Sequence, residues 1–376
     1  MTVHPGRVLN GRYRLDAHLG HGAQGAVWLG HDLALDCRVA VKVALLARGH
    51  GGRSEELERA VERFGKEARA MARVRKRPHV AVIHDYGEDG DTLYHVMDHI
   101  EGTPLSAHTG RGRQLTLEQT VRWTRHICAG LAEVHAVGVV HRDIKPGNVV
   151  IDTAGSAHVV DFGLALLPGA SLSQGPPMGT PHYTAPERFD GRQADERSDL
   201  YSLGCVVYEM LTGWSPFGHI RDLLPLMTHH ASVLPEPPRT VRPGIPAALD
   251  RLVMNLLAKV PAERPPDATA VARAIREIAH APDRPADPHV DARHVDEIRD
   301  LERFIQHHVH GPRAADPEVL DARARHARLT GESGDPRGAA SLYQRLGQDC
   351  VRLLGPEEDR AFDAYREASR WQARVG

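Results

Sequence analysis

Lysine, aromatic residues, cysteine and any excess of one charge are all scarce in this chain. Its 376 residues include 47 Lys or Arg against 49 Asp or Glu, a formal net charge of −2. That balance leaves no basic footprint for nucleic acid. No run of about 18 apolar residues occurs, and the amino terminus lacks a charged-then-apolar pattern. Neither a membrane span nor a signal peptide is therefore expected, and the expected location is cytoplasmic. Cys37, Cys128, Cys205 and Cys350 are scattered without paired spacing, which argues against a disulfide or zinc framework and fits reduced thiols. Lysine occurs only at positions 42, 66, 76, 145 and 259.

Histidine, by contrast, is abundant, with 25 in all. His229-His230 and His307-His308-x-His310 have no carboxylate or cysteine set at ligand spacing beside them, so they read as solvated surface residues. A 41% hydrophobic content in a chain of this length suffices for a large core plus another module.

Two short segments carry the chemistry. His141-Arg142-Asp143-Ile144-Lys145-Pro146-Gly147-Asn148 precedes Val149-Val150-Ile151, and His158-Val159-Val160 precedes Asp161-Phe162-Gly163. The β-branched runs flank the turn residues Asp152-Thr153-Ala154-Gly155-Ser156, the pattern of an antiparallel hairpin. Asn148 enters that hairpin and Asp161 leaves it. Pairing then brings an amide oxygen and a carboxylate together at one mouth, which suits Mg²⁺ held with substrate phosphates, with Mn²⁺ as the alternative ion. Asp143, five residues before Asn148, is placed to accept a hydroxyl proton while its neighbours hold metal and phosphate.

Upstream, Gly20-x-Gly22-x-x-Gly25-x-Val27 lies between the strand-like runs Tyr13-Arg14-Leu15 and Val27-Trp28-Leu29. A dinucleotide fold would follow such glycines with a helix, whereas a strand follows here, so a strand–turn–strand flap over phosphates is expected. Val39-Ala40-Val41-Lys42-Val43 reads as a strand carrying one cation. In so arginine-rich a chain, lysine at both 42 and 145 marks places that need a compact ammonium. Leu57, Val61, Phe64, Ala68 and Met71 recur at helical spacing, with Glu67 at the edge of that stripe. Glu67 is the expected partner of Lys42, the alternative being a glutamate that reaches water.

In this order, residues 13 to about 278 resemble a bacterial serine/threonine protein kinase of the eukaryotic-like (Hanks-type) family. The resemblance implies an α+β fold of two lobes, a small β-rich N-lobe at about 13–97 and a large, mainly α-helical C-lobe at about 101–278. Residues 1–12 would be an extension. It further implies ATP and Mg²⁺ as cofactors. Lys42 would hold the α- and β-phosphates and pair with Glu67, Asp143 would be the catalytic base, and Lys145 would contact the γ-phosphate. Asn148 and Asp161 would bind Mg²⁺. Gly20, Gly22 and Gly25 would cover the nucleotide, with Leu19, Val27, Ala40, Met97 and Val150 in the same cofactor-binding set. Met97 would be the gatekeeper, with Asp98 and Ile100 offering backbone groups to adenine. His141 would support the catalytic loop beneath Asp161-Phe162, and Asp199 in Ser198-Asp199-Leu200-Tyr201 would brace it.

Gly179-Thr180-Pro181-His182-Tyr183-Thr184-Ala185-Pro186-Glu187 resembles the end of an activation segment, with Glu187 paired to Arg264. Thr180 and Lys145 match the serine/threonine-directed branch. The family often has a basic residue near Leu166, where this chain runs Leu164-Ala165-Leu166-Leu167. Ser171 and Ser173 are candidate phosphosites acting through Arg142, and ordinary polar loop residues are an equal alternative.

Past Ala279, Ala281-Pro282-Asp283-Arg284-Pro285-Ala286-Asp287-Pro288 reads as a proline-rich linker over 279–293. Helical stretches follow near 294–309, 317–331, 337–354 and 358–374. Val319-Leu320-Asp321-Ala322 lines up with Ala361-Phe362-Asp363-Ala364, and the region 294–376 resembles tetratricopeptide-type hairpins. A plain helical cap is the alternative, since stacked repeats usually need about three units. The expected function is a serine/threonine protein kinase acting on protein substrates, itself included. Its tail would recruit substrate or regulator, or self-associate. The runner-up is a nucleotide-binding scaffold, against which the full set of motif residues argues.

Overall fold

The computed structural model describes residues 3–22, 25–45, 62, 65, 68, 69, 71, 73–74, 78–90, 92–161, 181–189, 191, 194–280, 297–298, 300–301, 304–305, 308, 313–333, 336–355 and 357–374. It divides into two compact units, Met1–His280 and Ala281–Gly376.

The first unit opens with a six-stranded antiparallel sheet: β1 (Val8–Leu9), β2 (Tyr13–Gly22), β3 (Gly25–Asp32), β4 (Cys37–Leu45), β5 (Ile83–Asp89) and β6 (Thr92–Asp98), in the order β1-β2-β3-β4-β6-β5. The period-two alternation of β4 decides its two faces. Val39, Val41 and Val43 join Leu9, Tyr13, Leu15, Trp28, Tyr94 and Val96 in one cluster. Ala40 turns the other way, into the main core with Met97, Ala68, Met71 and Ile83. Lys42, two residues from Ala40, shares that second face. The sheet starts upstream of Tyr13, because Val8 and Leu9 pair with Arg14 and Tyr13 and Leu9 is fully buried.

A three-stranded sheet, β7 (Gly102–Pro104), β8 (Val149–Asp152) and β9 (Ala157–Val159), underlies the first. The lower lobe is otherwise helical: α1 (Leu117–His135), α2 (Pro186–Phe189), α3 (Glu196–Thr212), α4 (Leu223–Ser232), α5 (Pro238–Val241), α6 (Ala247–Leu256) and α7 (Ala268–His280). Capping boxes start α1 at Thr116/Gln119 and α3 at Asp195/Ser198. Every residue of α3 from Ser198 to Thr212 is buried, the mark of a helix packed on all sides. Gly204 permits that packing, since a Cβ there would sit 2.8 Å from Leu256. The fold is therefore the two-lobed α+β arrangement that the resemblance implies.

The second unit contains α8 (Pro317–Glu332), α9 (Pro336–Leu354) and α10 (Asp359–Gln372). Leu320, Ala327, Ala340, Tyr343, Leu346, Cys350, Ala364 and Trp371 form its core. Gly331 lies under the Trp371 ring and Gly347 under Tyr365. The alignment of Val319-Leu320-Asp321-Ala322 with Ala361-Phe362-Asp363-Ala364 holds in burial at three positions, since Val319, Ala322, Ala361 and Ala364 are buried and Asp321 and Asp363 exposed, and fails at the fourth, where Leu320 is 2% exposed and Phe362 is 62% exposed. The cause is the α10 stripe of Ala361, Ala364 and Trp371, off which Phe362 falls.

Candidate active site

The site is assembled on a buried carboxylate. Asp199, in the first turn of α3, accepts the backbone N–H of His141 at 2.7 Å, that of Arg142 at 2.8 Å and the His135 ring Nε2 at 2.8 Å. Its solvent exposure is zero. Arg142 thereby holds a left-handed backbone, φ +67°, a conformation that a non-glycine residue keeps only when its surroundings enforce it. His141 is fully buried, and burial pushes its imidazole below the ordinary value. The neutral ring is used at both nitrogens: Nε2 donates to Val160 O at 3.1 Å and Nδ1 accepts the Asp143 N–H at 3.2 Å.

Asp143 projects from this frame. Its Oδ2 accepts Lys145 Nζ at 2.7 Å and Asn148 Nδ2 at 3.0 Å. Asn148 Nδ2 also donates to Asp143 O at 2.8 Å. Both amide hydrogens of Asn148 are thus committed toward Asp143, and its Oδ1 faces away from them. Among the described residues, neither Asp143 Oδ1 nor Asn148 Oδ1 has a hydrogen-bond partner.

The hairpin forms as its sequence dictates, with Val149 opposite Val159 and Ile151 opposite Ala157. Val160 N–H donates to Asn148 O at 3.0 Å, one step beyond the last strand pair. Asn148 and Asp161 consequently stand at one mouth. Asp161 is also left-handed, φ +59°, and its Oδ1 accepts from Lys42 Nζ. Its Oδ2 has no partner among the described residues. Three oxygens, from Asp143, Asn148 and Asp161, are therefore without a hydrogen-bond partner among the described residues, beside the ammonium groups of Lys42 and Lys145. Two of them, on Asn148 and Asp161, form a donor set that fits a small oxygen-preferring dication.

The glycine segment is a β-hairpin arm, with Gly20 opposite Val27 and Gly22 opposite Gly25. Gly25 takes φ +128°, which favours glycine. Val27 pairs with Lys42, and Ala40 pairs with Met97, so these four share neighbouring rungs of the sheet. Leu19 is 51% exposed beside a bulge at His18/Gly20. Val150 alternates with the buried Val149 and Ile151 and is half-buried. Asp98 N–H donates to Val82 O at 3.0 Å, while its carboxylate accepts Val82 N–H at 3.0 Å and meets His84 Nε2 at 2.7 Å. Among the described residues, Ile100 has no backbone hydrogen bond. Glu67, Ser171, Ser173 and Thr180 lie outside the described residues.

At the far end, Glu187 and Arg264 form a buried two-pronged pair, 2.8 Å at each prong. Ser198 Oγ adds a bond to Glu187 Oε1 at 2.6 Å. Burial pushes the Glu187 carboxyl up, but Arg264 and Ser198 outweigh it, so the group sits below its ordinary range. Arg264 also donates to the carbonyls of Ala258, Arg197 and Lys259.

Sequence reasoning passed over three residues here. His135 joins the Asp199 cluster, Glu209 accepts the Tyr183 hydroxyl, and Arg188 donates to Arg142 O. Glu209 had a signal: it is a lone charge in the apolar run Cys205-Val206-Val207-Tyr208-Glu209-Met210-Leu211. Burial pushes its carboxyl up, with the Tyr183 bond opposing.

Comparison with known proteins agrees with this arrangement. The sequence profile of the protein kinase domain matches residues 13–276. The serine/threonine-protein kinase PknA of Mycobacterium tuberculosis is 38% identical over 271 residues, covering 70% of this chain and 60% of the relative. Pkn1 of Myxococcus xanthus is 38% identical over 261 residues, covering 68% and 36% respectively. PknE of Mycobacterium bovis is 38% identical over 259 residues, covering 68% and 44%. The chain thus spans 60% or less of the length of these relatives. With a matched region running from β2 into α7 and the Asp143, Asn148 and Asp161 cluster inside it, this chain belongs to the protein kinase domain family.

Proposed function

We propose that the protein transfers the γ-phosphate of ATP to serine or threonine hydroxyls of proteins, itself among them. The observation that carries this reading is that, among the described residues, Asp143 Oδ1 has no hydrogen-bond partner and lies in one cluster with Asn148, Asp161 and the ammonium of Lys42. Asp143 Oδ1 takes the hydroxyl proton as the acceptor oxygen attacks phosphorus. Lys145, bonded to Oδ2, fixes the carboxylate and lies within reach of the transferred phosphoryl group. Lys42 orients the α- and β-phosphates while held against Asp161, and Glu67 completes its pairing. Asn148 Oδ1 and Asp161 would hold Mg²⁺, which would supply charge neutralisation at the phosphate oxygens. Among the described residues no three His, Cys, Asp or Glu side chains come together as a metal cage.

Met97, Ala40, Val27, Leu19 and Val150 enclose the adenine. Asp98 offers its carbonyl, its N–H being committed to Val82, and Ile100 offers the free N–H. Thr180 positions the acceptor hydroxyl, and Ser171 and Ser173 are the autophosphorylation sites. The helical second unit is read as a tetratricopeptide-like recruiter of substrate or regulator. No helix among the described residues is long and apolar enough to cross a membrane, which is compatible with a cytoplasmic setting.

The test is label transfer from γ-labelled Mg-ATP to a generic serine/threonine acceptor and to the protein itself, followed by mass spectrometric mapping. Label on seryl or threonyl residues supports the reading. No transfer by protein that still binds Mg-ATP would favour a nucleotide-binding scaffold.

A further inference from the structure

Arg188 follows Glu187 in the short helix α2, and nothing in the motif set gives it a task. Its Nη1 donates to the carbonyl oxygen of Arg142. That carbonyl belongs to the peptide unit joining Arg142 to Asp143, whose N–H donates to His141 Nδ1 at 3.2 Å. The unit is therefore pinned at both ends, by a cation at oxygen and an imidazole at nitrogen. The preceding peptide N–H, that of Arg142, is held by Asp199 Oδ1 at 2.8 Å. Between these anchors Arg142 keeps φ +67°. Burial pushes the Arg188 guanidinium down and the nearby Asp143 and Asp199 carboxylates oppose that, so the cation lies within the field of both.

Resting on the kinase reading, we propose that Arg188 is a positioning residue for phosphoryl transfer. It locks the Arg142–Asp143 peptide plane and so aims the Asp143 carboxylate. It also ties that aim to the seat of α2, which Glu187, Arg264 and Ser198 fix from below. A base displaced by about 1 Å loses on the order of 100-fold in rate. The loss belongs in kcat, because among the described residues Arg188 bonds to the catalytic loop at Arg142 and to neither the glycine hairpin nor the Lys42 strand.

The experiment compares wild type, Arg188→Met and Arg188→Gln as full chains, measuring kcat, the KM for Mg-ATP, thermal stability and nucleotide-binding stoichiometry. Methionine keeps bulk without a donor; glutamine keeps a donor without charge. We expect kcat of Arg188→Met to fall about 10- to 100-fold with KM for Mg-ATP within about twofold. Arg188→Gln should recover most of that loss. Rates are taken per nucleotide-binding site, so a smaller folded fraction does not mimic the effect. A wild-type kcat in Arg188→Met, or equal impairment of Met and Gln, would overturn the proposal. If Arg188→Met does not fold, Arg188→Ala with and without added ethylguanidinium replaces it: rescue supports the positioning role, and absence of rescue refutes it. A wild-type chain that transfers no phosphate would instead refute the kinase reading.

Discussion

Replacing Arg264 by methionine removes one partner of a charge pair in which Arg264 is 3% exposed and Glu187 is 7% exposed. Five hydrogen bonds disappear: two to Glu187 and one each to the carbonyls of Ala258, Arg197 and Lys259. Truncating one side of such a pair costs about 3–5 kcal/mol, because the other charge stays buried without compensation. For a unit of this size each kcal/mol moves Tm by roughly 2–4 °C, so a fall of about 10 °C is expected in calorimetry of the intact chain at neutral pH. The sign of the pH dependence follows from Glu187. Its folded-state pKa lies below the ordinary 4.5, so the pair stabilises fully above that value and its contribution fades as pH falls through the folded pKa. In Arg264→Met the burial that pushes Glu187 up loses its main opponent. Acidification then relieves the variant, and the gap to wild type should close below about pH 4.5. Glu187→Gln in the Arg264→Met background should recover part of the loss at neutral pH. A gap under about 1 kcal/mol, or one that does not change with pH, would refute this account of the pair.

Two further perturbations test other parts of the molecule. Lys42→Met removes the ammonium that contacts Asp161 Oδ1. Losing a charge-assisted bond of this type should lower phosphoryl transfer about 10- to 100-fold, read by initial rates, while a thermal-shift assay still detects Mg-ATP. Gly331→Ala sets a Cβ 2.6 Å from the Trp371 ring. Overpacking of that kind should destabilise the second unit by about 1–3 kcal/mol, measured by urea titration; an unchanged midpoint would show that α8 and α10 separate freely at that point.

Features set by local pattern are legible in the sequence. The glycine arm, the Lys42 strand and the hairpin that joins Asn148 to Asp161 each rest on period-two alternation and turn residues within about a dozen positions. Features set by pairing across the chain are not. Glu209 reaches Tyr183 over a separation of 26 residues, and Arg188 reaches Arg142 over 46; the lone charge of Glu209 in an apolar run marks it as buried, but no short-range signal names either partner. Val8–Leu9 is too short for alternation to reveal it, yet it caps the sheet. In the second unit, Val319 and Ala322 of α8 are buried like their counterparts Ala361 and Ala364 of α10, while the like letters at Leu320 and Phe362 conceal unlike environments, because Phe362 lies off the buried stripe of α10.

In the proposed reaction Asp143 is the group that accepts the hydroxyl proton. Single-turnover transfer to a serine/threonine acceptor, with Mg-ATP affinity measured in parallel on wild type and Asp143→Asn, isolates that role. General-base catalysis contributes about 10²- to 10⁴-fold, so the variant should lose at least about 100-fold in rate while Mg-ATP affinity stays within about threefold. Transfer at the wild-type rate by Asp143→Asn would contradict the account, as would a loss that follows nucleotide affinity alone.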